Sequence, residues 1–75
     1  MNTKEKLMQL LELCIEKGLD YKLYPGVDLI EVSKFSEDNP PLFHNRSYYD
    51  DFSNLKSEIL IPLNDLITKV KNYQP

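Results

Sequence analysis

Apolar residues recur at a helical spacing at both ends of this 75-residue chain and alternate with polar ones between. Near the N-terminus Leu7, Leu10, Leu11 and Cys14 step by three or four, and Met8 and Ile15 widen the stripe. Asn2 stands where a cap belongs, with Glu5 three residues on to complete a capping box. Gly18, after Lys17, suits the left-handed residue that closes a helix, and Leu19 is placed for the apolar contact of a Schellman ending. These signals predict a helix over residues 3–17 with a broad apolar face on which the rest packs.

A hairpin follows. Tyr24-Pro25-Gly26-Val27 has Pro and Gly at the two central positions of a type II turn. Its flanks, residues 20–24 and 27–35, are rich in aromatic and β-branched residues. Pairing Tyr24 with Val27 sets Leu23 against Asp28, Tyr21 against Ile30 and Leu19 against Val32. Leu19, Tyr21, Leu23, Ile30 and Val32 then share one core-facing side. The same register sets Asp20 opposite Glu31, which is mildly unfavourable. Residues 36–41 are a loop by composition. Residues 42–49 read as a third short strand, with an ordered loop as the alternative. As a strand it carries Leu42, His44, Arg46 and Tyr48 on one side and Phe43, Asn45, Ser47 and Tyr49 on the other.

From Asp50 the helical period returns in Phe52, Leu55, Ile59, Leu63, Leu66 and Val70. Pro62 interrupts it, since an interior proline loses a backbone donor and clashes with the preceding turn. Either a helix at 51–60 precedes a second at 64–73 capped by Asn64, or residues 58–61 form a strand leading into the last helix. The long period favours one kinked or two C-terminal helices packed on the sheet. The expected fold is a single small α+β domain spanning residues 1–75, without internal repeats.

Composition narrows the functional classes. Cys14 is the only cysteine, so no internal disulfide forms, and its place on the apolar helix face points to core packing. The opening residues lack the pattern of a signal peptide, and no apolar run approaches the roughly 20 residues of a bilayer span. A cytoplasmic protein without membrane contact is the expectation, which makes the Asn45-Arg46-Ser47 sequon accidental. The net charge of −3 is interspersed, which disfavours nucleic acid as a partner. The absence of Ala and Trp, with eight Lys, six Asn and one Arg, matches AT-rich coding, as in a low-GC bacterium or its phages and plasmids.

The side chains of known chemistries do not assemble. His44 is the only imidazole, beside a Pro-Pro loop, and reads as an exposed loop histidine without a nucleophile to serve. One Cys and one His fall short of a structural zinc site, and neither glycine belongs to a phosphate-binding loop. Asp50 and Asp51 lack the frame of a calcium loop, and as helix neighbours they do not converge; they suit a helix N-terminus. No enzyme activity, cofactor or metal is expected.

What remains is a cluster from Phe43 through His44, Arg46, Tyr48, Tyr49, Asp50 and Asp51 to Phe52. Tyr and Arg are enriched at interface hot spots, although Phe43, Phe52 and one tyrosine also suit a core short of bulk. The cluster is the expected partner-binding site of a non-enzymatic protein-binding module, an adaptor or a small phage or mobile-element inhibitor acting on a host protein. The chain is similar in size, and in element order to some, to small phage inhibitors of bacterial immune nucleases, anti-CRISPR proteins among them; no motif carries that likeness. The alternatives are a self-associating assembly protein, as a homodimer, and a nucleic-acid-binding domain. For the last, the order helix, strands, helix resembles that of double-stranded-RNA-binding domains. That family implies a basic patch at the start of the last helix, where this chain is expected to carry Tyr48-Tyr49-Asp50-Asp51, which repels phosphate.

Overall fold

A computed structural model of the protein describes residues 2–35, 37, 41–49 and 59–74. The first helix, α1 (Thr3–Lys17), has the expected bounds because both its ends are set locally. The Asn2 side chain accepts from the Glu5 backbone N–H at 2.9 Å. Gly18 takes φ 71°, and the N–H groups of Gly18 and Leu19 donate to the carbonyls of Ile15 and Cys14, the two bonds of a Schellman ending. A Cβ at Gly18 would touch nothing, so alanine there meets only the left-handed backbone penalty. Gly18→Ala should lower stability by roughly 1–2 kcal/mol in urea unfolding.

The hairpin forms between β1 (Asp20–Tyr24) and β2 (Leu29–Lys34), but its turn and register differ from expectation. Tyr24 pairs with Leu29, not Val27, so Leu23 faces Ile30 and Tyr21 faces Val32. Pro25–Val27 form a 3₁₀ turn, and the left-handed residue is Asp28 at φ 54°, not Gly26. A four-residue loop replaces the type II turn, which would splay the strands. The slip of two residues keeps the same side chains on each face, because strand side chains alternate with period two. It also sets Lys22, rather than Asp20, opposite Glu31, replacing a repulsion with an attraction. Gly26→Ala discriminates the two turns. With open space around Gly26 and no positive φ, the change should be neutral or stabilise by about 0.4–1 kcal/mol; a type II turn would make it destabilising.

The third strand is real: β3 (Phe43–Tyr48) pairs antiparallel with β2, giving the sheet order β1-β2-β3. Its far edge is covered by residues 59–61. Arg46 donates its N–H to the Ile59 carbonyl at 2.8 Å and accepts from the Ile61 N–H at 2.9 Å, a parallel bridge centred on Leu60. Ile59 is therefore a bend and Leu60 a bridge residue, not the end of a helix; the rest of that expected helix lies outside the described residues. This stretch is closer to the second solution for Pro62, as an isolated bridge at Leu60 rather than a strand over 58–61, of which residue 58 lies outside the described residues. The proline begins the last helix, α2 (Leu63–Asn72), without kinking it, and its carbonyl accepts the Leu66 N–H. Asn64 sits inside α2 and does not cap it.

Both helices lie on one face of the sheet. Leu10 and Cys14 from α1, Leu63, Leu66, Ile67 and Val70 from α2, and Leu19, Ile30 and Val32 below them form one buried cluster. Burial pushes the Cys14 thiol up to about 11, so it packs as a thiol rather than a thiolate. At the far ends of the helices Lys17 Nζ donates to the Tyr73 carbonyl at 3.0 Å, and Tyr73 meets the Phe43 ring edge-on.

Candidate binding face

The alternation of β3 divides the expected site between the two faces of the sheet. Asn45 and Ser47 are buried against the helices, and Phe43 and Tyr49 pack on the core. Asn45 donates from Nδ2 to the Ile59 carbonyl, tying β3 to the segment that covers its edge. His44, Arg46 and Tyr48 point to the opposite, outer face. Asp50 and Asp51 lie outside the described residues. Of the seven expected partner-binding residues the structure therefore brings three together and turns two, Phe43 and Tyr49, inward.

The observed register orders the outer face into cross-strand rows. Tyr24, Leu29 and Tyr48 form an apolar row; Lys22, Glu31 and Arg46 form a charged row; Asp20, Ser33 and His44 form a polar one. Glu31 is the centre of this grid, and sequence reasoning missed it. Its Oε2 accepts from Arg46 Nε and, at 3.1 Å, from His44 Nε2. A carboxylate can only accept, so the bond places a proton on that imidazole nitrogen. The Glu31 side chain is only 14 % exposed, against 49 % for Arg46. The hydrogen bond from His44 leads in holding the Glu31 carboxyl below the ordinary 4.5; the bond and charge of Arg46 add to it, against the opposing effect of desolvation.

His44 is thus not an exposed loop histidine. It is a strand residue fixed by Glu31 on one side and by the tilted ring of Phe35, 5.6 Å away, on the other. Among the described residues the Arg46 side chain is held through Nε on Glu31, and about half of it is exposed. Beside it a shallow depression of about 260 Å³ is walled by Leu29, Tyr48, Ile59 and Leu60. A larger open groove of about 550 Å³ runs between β3 and α2, past Phe43, Asn45, Lys69, Asn72 and Tyr73. Its lining mixes amide, ammonium, aromatic, imidazole and hydroxyl groups, and the Thr68 hydroxyl is bonded to the Asn64 carbonyl. Among the described residues no three His, Cys, Asp or Glu side chains group as metal ligands, and no helix is long and apolar enough to cross a membrane.

The start of α2 carries Asn64 and Asp65, not the Tyr48-to-Asp51 stretch that sequence reasoning placed there. Among the described residues the element order is helix, three strands, helix, and the first turn of the last helix contains an acid, Asp65. No protein-family model, curated protein or solved structure matches the chain.

Proposed function

We propose that the protein is a non-enzymatic protein-binding module, an adaptor or inhibitor, that engages its partner through the outer face of the sheet. The observation that carries this reading is Arg46: its Nε is held on Glu31 while half of its side chain faces solvent beside an apolar depression. Arg is a preferred anchor at interfaces because its planar fork binds a carboxylate bidentately and loses little freedom when already oriented. The matching ligand is a protein segment presenting an acidic side chain next to an apolar one. Nucleic acid is a poorer fit, because Asp20 and Glu31 interrupt the three cationic or imidazole groups of the face.

The test is capture of the tagged protein with its partner from the native host, comparing wild type, Arg46→Glu and, as control, Lys4→Glu. A partner recovered near stoichiometry by wild type and by Lys4→Glu should be lost with Arg46→Glu. Loss of a hot spot of about 2 kcal/mol is roughly thirty-fold in affinity. Full retention by Arg46→Glu, or no stoichiometric partner for any variant, refutes the proposal.

A further inference from the structure

The two edges of the sheet are treated differently. Residues 59–61 cover β3, whereas among the described residues nothing pairs with the outer edge of β1. All five residues of β1 are exposed, including Tyr21 and Leu23 on the helix-bearing side at 40 % each. An open edge of this kind accepts another strand.

We propose that the occupant is a second copy of this chain, paired antiparallel through β1 about a two-fold axis at Tyr21. Backbone N–H and C=O groups of successive strand residues point alternately toward and away from β2. Two copies of one edge can therefore pair only in registers that set residues of like parity opposite each other, with one residue on the axis. An axis at Asp20 or Lys22 sets that charge against itself, which is unfavourable. An axis at Leu23 or Tyr24 runs into Pro25, which has no N–H to donate. An axis at Tyr21 sets Asp20 against Lys22 of the second copy, twice by symmetry, and Tyr21 against its own copy. Leu23 then lies opposite Leu19 of the second copy on the helix-bearing side. The edge is thus self-complementary in charge in one register. The result is a continuous six-stranded sheet with two copies of the outer face on the same side. The inference stands on the β1 edge alone and is independent of the role given to Arg46.

An edge of five residues makes an interface smaller than the standard of about 1,600 Å², so the dimer forms in a concentration-dependent way. Light scattering on the full chain, over a series reaching about 1 mM, reads it directly. Wild type should pass from monomer to dimer mass. Asp20→Lys sets Lys against Lys and Lys22→Asp sets Asp against Asp, so each should weaken association roughly ten-fold or more. Mixed in equal amounts, the two variants are complementary again and should recover wild-type association as a heterodimer. A monomer mass throughout the wild-type series, a dimer unaffected by either variant, or a mixture no tighter than its components overturns the proposal. Lys22 also faces Glu31 within the hairpin, so hydrogen exchange of the wild type provides a measurement free of substitutions. Protection of β1 amides should rise with protein concentration, and equal exchange at low and high concentration likewise overturns the proposal.

Discussion

Leu66→Ala is expected to lower the unfolding free energy by about 2–5 kcal/mol. Leu66 is fully buried in the middle of α2, in the cluster shared by both helices and β2. Truncation removes three carbons from that cluster and leaves a cavity between layers that rigid elements hold apart. A chain of this length has a total stability on the order of 4–11 kcal/mol, so the loss is a large part of the whole. The measurement is the urea midpoint by far-UV circular dichroism. Leu42→Ala, at a position 60 % exposed, is the control and should stay within about 0.5 kcal/mol of wild type. A Leu66→Ala midpoint equal to that of wild type would mean that α2 is not packed on this core.

Glu31→Lys should cost about 1.5–3 kcal/mol, the range for hydrogen bonds to a charged group. The new ammonium would replace the acceptor that joins His44 and Arg46, opposite Lys22 in the strand register. The milder Glu31→Gln isolates the charge through pH. Because the folded carboxyl lies below its ordinary 4.5, the ionised side chain contributes stability that is fully present above about 4.5 and fades as pH falls through the lower folded value. The stability gap between wild type and Glu31→Gln should therefore be level at neutral pH and close below about 4.5. A gap that does not narrow on acidification would mean that the Glu31 carboxylate gains nothing from His44 and Arg46. Since Arg46 is oriented through Glu31, both variants should also weaken partner capture even where they remain folded.

These expectations differ in how far the residues alone announced them. The two sets, Asn45 and Ser47 with Phe43 and Tyr49, and His44, Arg46 and Tyr48, follow from alternation along one strand, although which set turns inward does not. They are local and were legible. The importance of Glu31 was not. It lies 13 residues from His44 and 15 from Arg46 along the chain, and its place between them depends on the register of two strand pairings. Phe43 and Tyr49 were read with the binding cluster because composition counts rings without knowing which way each turns.

Residues 59–61 show the same limit from another side. Ile59, Leu63, Leu66 and Val70 satisfy a helical period, yet an extended Ile59-Leu60-Ile61 also places apolar side chains acceptably. Periodicity alone does not choose between them. The choice is made by the backbone of Arg46, whose N–H and C=O both need partners at the edge of β3 and find them at Ile59 and Ile61. Pro62 then becomes a start signal, its missing N–H and fixed φ costing nothing just before a first turn.

By itself the sequence determined what short-range chemistry controls: the bounds of α1, through Asn2 and Gly18 within one turn of each end; the α+β class; and which strand residues share a side. The tertiary structure decided what depends on distant partners. These are the hairpin register and its left-handed Asp28, the path into Pro62, the Glu31–His44–Arg46 grouping, and the contrast between a covered β3 edge and a β1 edge that no described residue pairs with. The physical reason is common to all four. Caps and periodicity involve groups a few residues apart, whereas a sheet pairs donors and acceptors whose separation in sequence sets no constraint on their meeting in space.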